Sequence, residues 1–205
     1  MGMGPWARFF SQDALTSFAA QNGPLVYALL FVAFLFQVGF LIGPVLPGNP
    51  IVFLAGVMSF TGILNLSLVI GVLSAGVFVG NLLNYYQGSI AGPQVAKRRA
   101  AQIEKAEAFF TKHGPRTVAL APLVPFYRAF VPFVAGLGRM PIQSFALSSL
   151  IGSFLWIGTW ALLGYFLGQI PAVRDNVDKL AIAIVLIVSV VAIVKLIQSR
   201  RAKST

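Results

Sequence analysis

Two proline-broken motifs set inside apolar sequence constrain this chain more than anything else in it. Pro44-Val45-Leu46-Pro47-Gly48-Asn49-Pro50 interrupts one long apolar stretch, and Ala121-Pro122-Leu123-Val124-Pro125-Phe126-Tyr127-Arg128 interrupts another. Proline lacks a backbone N–H and clashes with the preceding helical turn, so neither stretch can be a straight helix. In hydrocarbon, the freed backbone groups survive only where protein buries them or a polar cavity receives them. Paired broken segments in two halves of a membrane protein mark the place where transport sites are built.

The membrane reading follows from composition. Of 205 residues, 58% are hydrophobic and only 10% are charged, against about 25% charged in soluble domains. Apolar runs reach the roughly 20 residues that a spanning helix needs. With no polar linker, the chain reads as one membrane domain over residues 1–205. There is no cysteine, and the lone His113 falls in a basic loop. That excludes disulfides and thiol chemistry. No Ser/His/Asp set, phosphate-cradling glycine loop or metal-ligand spacing is present, so no enzyme activity, cofactor or metal is expected. The N-terminus lacks a charged region leading into an apolar core and cleavage motif, which predicts no cleaved signal.

Along the chain, residues 1–22 predict an interfacial amphipathic helix ended by Asn22-Gly23-Pro24. A first span follows at about 25–41, a broken segment at 43–60, and a second span at about 63–85. Residues 94–113 predict a basic amphipathic helix, with Val95, Ile103, Ala106, Phe109 and Phe110 at broadly helical spacing. A second broken segment covers 117–137. Two more spans, at about 145–167 and 180–197, precede a basic tail at 198–205.

The net charge is +10, grouped as Lys97, Arg98, Arg99, Lys105, Lys112 and Arg116, then Arg200, Arg201 and Lys203. Basic segments stay cytoplasmic. The two groups share a face only if residues 117–137 return to the side they came from. This predicts an all-α membrane protein with about four transmembrane helices, two opposed re-entrant hairpins and interfacial amphipathic helices, both termini being cytoplasmic. The hairpins share P-x-x-P (Pro44/Pro47 and Pro122/Pro125) and a later Ala-Gly pair (Ala55-Gly56 and Ala135-Gly136), as an inverted repeat would. The basic loop further predicts contact with anionic inner-leaflet lipids. Without an exposed soluble basic domain, nucleic acid is not an expected partner.

Arg128 is the foremost site candidate. A charge at the centre of a spanning helix costs about 2.5–3.5 kcal/mol and needs partners or water. Either it forms a functional polar site or it snorkels to the interface. A planar, permanently charged guanidinium suits phosphate. Gln37, Asn49, Asn81 and Tyr127 complete the candidate substrate-binding set, with Asn84 nearby in sequence. For Gln37 and Asn49, cavity lining and helix-to-helix glue both remain open. Tyr85 and Tyr86 read as an interfacial aromatic belt. Pro44, Pro47, Gly48, Pro122, Pro125 and Pro132 shape the hairpins, and Gly76-x-x-x-Gly80 permits close helix packing. Acidic residues occur only at Asp13, Glu104, Glu107, Asp175 and Asp178, all in segments predicted to be interfacial or loop. A proton relay normally needs a carboxylate or histidine at membrane depth; the sequence places none there.

These motifs resemble the DedA family of bacterial inner-membrane proteins, whose wider superfamily includes the VTT-domain lipid scramblases. The matching pieces run from P-V-L-P-G-N-P-I-V-F-L-A-G through G-N-L-L-N-Y-Y-Q-G-S-I-A-G and F-F-T-K-H-G-P-R-T to V-P-F-Y-R-A-F-V-P-F-V-A-G-L-G-R-M. The resemblance implies opposed re-entrant hairpins, a multi-pass protein of the bacterial inner membrane, and movement of phospholipid or undecaprenyl phosphate between leaflets. Several charges of the family pattern are neutral here: Gln37, Asn49 and Asn81 stand where acidic residues are usual, and Ser89 and Pro122 where arginines are. Arg128 is kept. The expectation is therefore a lipid flippase or scramblase working without proton coupling. The alternatives are a small-anion transporter or channel, and a transport-inactive paralogue acting as a scaffold. Homo-oligomerisation is left open.

Overall fold

The computed structural model describes residues 12–40, 48–114, 116–123, 127–174 and 176. The expected span at 180–197, the basic tail, and Pro44, Pro47 and Pro125 lie outside them, as does the side chain of Tyr127. Every regular element among the described residues is helical. α1 is Gln12–Gly39, α2 Gly48–Phe60 and α3 Leu66–His113; α4 is Arg116–Leu120, followed by one 3₁₀ turn, Ala121–Leu123. α5 is Tyr127–Leu137, α6 Ile142–Leu167 and α7 Pro171–Arg174.

Among the described residues, three segments are long and apolar enough to cross a membrane: Asn22–Gly39, Leu66–Ala91 and Ile142–Leu167. Most of their exposed residues are large and apolar, among them Leu29, Phe36, Leu83, Ile90, Leu147 and Phe166, whereas Gln37, Asn81, Asn84, Ser149 and Ser153 are buried. Apolar outside and polar inside is the solution for a hydrocarbon solvent, where Asn and Ser side chains need partners and Leu does not.

Local chemistry explains the breaks. α1 is kinked at Asn22, whose φ of −126° and ψ of 31° are not helical; Pro24 then falls in the first turn beyond the kink, where its missing N–H costs nothing. α2, at 13 residues, is about 20 Å long, short of the roughly 30 Å hydrocarbon core. Asn65 caps α3 by accepting from the Leu68 N–H at 3.1 Å. α3 does not stop where the apolar sequence stops; it continues as helix through the whole basic segment.

The chain packs as two compact units. In the first, α2 lies on the last turns of α6. A Cβ on Gly56 would run into the Ala161 carbonyl oxygen, and one on Gly164 into that of Phe53. Phe60 meets Tyr165 edge-on at 5.6 Å. α2 ends with Gly62 at φ 81° and a 3.0 Å bond from the Ile63 N–H to the Met58 carbonyl, a Schellman cap.

The second unit repeats this device. A Cβ on Gly136 of α5 would run into the Tyr85 carbonyl oxygen of α3, and one on Gly88 into that of Phe133. α5 ends in the same cap, with Arg139 at φ 50° and the Met140 N–H on the Ala135 carbonyl at 3.0 Å. The Ala-Gly pairs seen in the sequence thus occupy equivalent packing positions. Gly76 of α3 and Gly152 of α6 also correspond: a Cβ would lie 2.7 Å from the Phe31 carbonyl oxygen at the first and 2.6 Å from that of Ala119 at the second. Helices in lipid gain little from apolar burial, so closely approached backbones carry the packing.

Within this unit α3 and α6 run antiparallel, since Asn81 bonds Ser149 and Tyr85 stacks on Phe145 at 4.5 Å. α1 and α3 instead run parallel: Phe31 lies at Gly76, Leu35 at Gly80 and Gly39 beside Leu83. The expected first span ran against the second. In the first unit, Tyr27 of α1 lies beside the start of α3, where its hydroxyl accepts from the Asn65 N–H at 2.8 Å. Gly76 and Gly80 admit the α1 backbone along α3, as the G-x-x-x-G spacing suggested.

Candidate functional site

Arg128 belongs to the first turn of α5, directly after the break in the second apolar stretch. It is half-buried, and its guanidinium carbon lies 4.7 Å from the centre of the Trp156 ring. Trp156 is 1% exposed and falls near the middle of α6. This height separates the two readings of Arg128. A snorkelling arginine would lie against residues near a helix end; this one lies against the middle of a span.

The platform is itself braced. Phe34 of α1 packs on Trp156 at 6.1 Å and is likewise buried. A guanidinium on an aromatic face gains about 0.5–2 kcal/mol, more when water is excluded. A guanidinium carries several N–H donors in one plane, the fork that suits an oxyanion.

The other polar residues of this unit are neutral and buried. Asn81 donates from Nδ2 to Ser149 Oγ at 2.9 Å, and Ser153 Oγ donates to the Ser149 carbonyl at 2.7 Å. Ser149, Ser153 and Trp156 are four and then three residues apart, so they share one face of α6. Asn84 Nδ2 donates to the Val38 carbonyl at 3.2 Å, and Gln87 Nε2 to the Gly39 carbonyl at 2.7 Å. These two bonds take up carbonyls that the end of α1 leaves without an intrahelical donor. Gln37 is 5% exposed and shares a face of α1 with Phe34. Ser74 is fully buried and its Oγ has no hydrogen-bond partner.

The second unit therefore gathers Arg128, Gln37 and Asn81 of the expected set in one interior. Asn49 falls in the other unit, half-buried as the second residue of α2. Gly48 opens α2 and is buried, and Pro122 and Pro132 are buried in the second broken segment. Tyr85, expected at the interface, is 7% exposed and donates to the Met140 carbonyl at 2.5 Å. It closes the turn between α5 and α6, where the freed carbonyl needs a donor. Tyr86 is the exposed member of the pair. Trp156, Ser149 and Ser153 were not singled out from sequence, although serines at helical spacing inside an apolar span are a readable signal.

Asn81 also carries a testable cost. Asn81→Leu removes the Ser149 partner, and interhelical bonds of this kind in membranes are worth about 0.6 kcal/mol, up to about 1.7. Thermal unfolding in detergent is expected to fall by that amount; a loss several times larger would mean that Asn81 holds more than Ser149.

Comparison with known proteins places these features in a family. The VTT domain matches residues 24–166. Protein DedA of Escherichia coli (strain K12) is 33% identical over 196 residues, covering 92% of this chain and 90% of that one. An uncharacterized membrane protein of Mycobacterium leprae is 31% identical over 198 residues, covering 91% and 87%. The inner membrane protein YghB of Escherichia coli (strain K12) is 28% identical over 172 residues, covering 79% and 78%. No solved structure matches.

Proposed function

The chain belongs to the VTT-domain family that includes DedA, and from that premise we propose that it moves a phosphate-bearing lipid, phospholipid or undecaprenyl phosphate, between the leaflets of the bacterial inner membrane. The observation that carries the reading is the Arg128 guanidinium carbon 4.7 Å from the centre of the Trp156 ring, beside the middle of α6. A headgroup crossing the bilayer must exchange water for something, and its phosphate is the costliest part to strip. A stationary guanidinium at mid-height offers charge and two parallel N–H donors to that phosphate. Its own charge is neutralised while the phosphate is there, so each lowers the other's cost. The acyl chains need no site, because the large residues exposed on the spans are apolar.

In this reading the second broken segment is a re-entrant hairpin that brings Arg128 to mid-height by going halfway in and coming back. No acidic residue lies between Asp13 and Glu104, or between Glu107 and Asp175. With Gln37, Asn49 and Asn81 also neutral, a site of this kind works without taking up or releasing a proton.

The test is reconstitution in liposomes, following leaflet exchange of a labelled phospholipid and of a labelled polyprenyl phosphate. Exchange is expected to proceed at the same rate from pH 6 to 8, with or without a proton gradient. A rate that collapses when the gradient is dissipated would overturn the uncoupled mechanism. Absence of exchange with both lipids by well-folded protein would overturn lipid transport altogether; uptake of phosphate or sulfate in the same vesicles would then favour the small-anion reading.

A further inference from the structure

The packing of the second unit restricts where the basic half of α3 can lie. Antiparallel pairing of Asn81 with Ser149 and of Tyr85 with Phe145 sets α3 and α6 in a common register. In that register Ala119, packed on Gly152, lies slightly deeper than Asn81, on the side away from the end of the apolar span at Ala91. If α3 continued straight to His113, that residue would stand about 33 Å beyond Ala91 and about 50 Å from the level of Ala119. His113 and Ala119 are only six positions apart, and fully extended that stretch reaches about 22 Å. The straight arrangement is impossible.

The basic segment must therefore turn away from the axis of the span, so that His113 comes back to about the height of Ala91. Gly92-Pro93 stands at the junction, where proline removes one helical bond and its ring displaces the preceding turn. At the far end Gly114 has φ 65°, the left-handed cap that redirects the chain into α4. A helix of about 33 Å with both ends at the height where the apolar span ends lies along the membrane surface.

Its sequence suits that position. Arg98, Lys105 and Lys112 are spaced by seven residues, which places them on one line of the helix, with Lys97 on the adjoining strip. Val95, Ile103, Ala106 and Phe110 share a different face in register, with Arg99 between Val95 and Ile103 as its one cation. We infer that residues 93–113 form a surface-lying helix, bent at Gly92-Pro93, that binds the anionic headgroups of the leaflet at the basic face of the protein through the Arg98, Lys105 and Lys112 line. This inference does not depend on lipid translocation; a transport-inactive chain would bind in the same way.

The chain has no cysteine, so single cysteines at positions 97 to 112 can be spin-labelled one at a time and their oxygen and aqueous-reagent accessibilities read in vesicles. With 30% phosphatidylglycerol in phosphatidylcholine, accessibility is expected to oscillate with the helical period, positions 103, 106 and 110 being lipid-side and 101, 104 and 108 water-side. Uniformly aqueous labels would overturn the surface-lying geometry. Association of spin-labelled phosphatidylglycerol with unlabelled protein is the second readout. Arg98→Gln, Lys105→Gln and Lys112→Gln are each expected to weaken it roughly fivefold, and raising salt is expected to weaken it in the parent. Equal association of phosphatidylglycerol and phosphatidylcholine with the parent, insensitive to salt, would overturn the anionic partner even if the oscillation is found. The salt titration decides the point without relying on any variant folding.

Discussion

Alanine at Gly136 or Gly88 lowers stability by about 1–3 kcal/mol, the usual cost of overpacking. The same substitution at Gly71 or Gly158 leaves it unchanged or raises it by up to about 1 kcal/mol through helix propensity. At the first pair the added Cβ meets a carbonyl oxygen of the facing backbone, and at the second it meets nothing within 4 Å. A side chain in the way could rotate; a backbone carbonyl moves only with its helix. α5 must therefore back away from α3, and the contacts between them are lost together. Gly88 and Gly136 face each other reciprocally across one crossing, so a helix displaced for one methyl already has room for the second. The double variant should cost clearly less than the sum of the singles. Gly56 and Gly164 form the same reciprocal pair in the other unit and should behave alike. Thermal unfolding of the detergent-solubilised protein measures all of these. Equal losses at Gly136 and Gly71 would refute the close crossing and leave only a generic penalty for altering a helix.

Much of this was legible in the residues themselves. The apolar runs gave the three spans found among the described residues, the prolines gave both breaks, and the repeated Ala-Gly pairs pointed to packing positions that prove equivalent. Gly76 and Gly80 announced a close helix contact but not its partner or its direction. Loop charge was used to return residues 117–137 to their own side; the first span was set against the second only by reading residues 43–60 as a hairpin, and it runs parallel to α3 instead. Positive residues report on which side a loop stays, and residues 40–65 carry no charge at all, so nothing in that connection recorded whether the chain returned. Continuity of α3 past Ala91 was hidden for a related reason. Helix propensity persists across the change from apolar to basic sequence, while hydropathy reports only where lipid ends. Arg128 was visible as the lone cation of the second broken stretch, but its depth was not. Depth came from Trp156, which lies 28 residues further along and whose meeting with Arg128 depends on how α5 crosses the bundle.

Arg128→Ala is expected to reduce leaflet exchange by at least about 100-fold, the loss of about 3 kcal/mol that follows from removing a charged partner of a buried phosphate. It should also leave the protein as stable as the parent or more so. A charge at mid-membrane costs about 2.5–3.5 kcal/mol, and a site held for function commonly carries such a cost. The opposite signs of the two readouts separate a binding role from a structural one, because a purely structural arginine would lower stability when removed. Arg128→Lys keeps the charge but not the plane or the fork, so exchange should stay well below the parent. Trp156→Leu keeps the arginine and removes the surface it lies on, 4.7 Å from the guanidinium carbon. With about 0.5–2 kcal/mol of cation–π attraction gone, the side chain is free to leave its orientation. Exchange should then fall by an intermediate factor, and adding Arg128→Ala to Trp156→Leu should cost less than Arg128→Ala alone. Full additivity of the two substitutions would mean that Trp156 acts by packing against Phe34 and has no part in presenting the guanidinium.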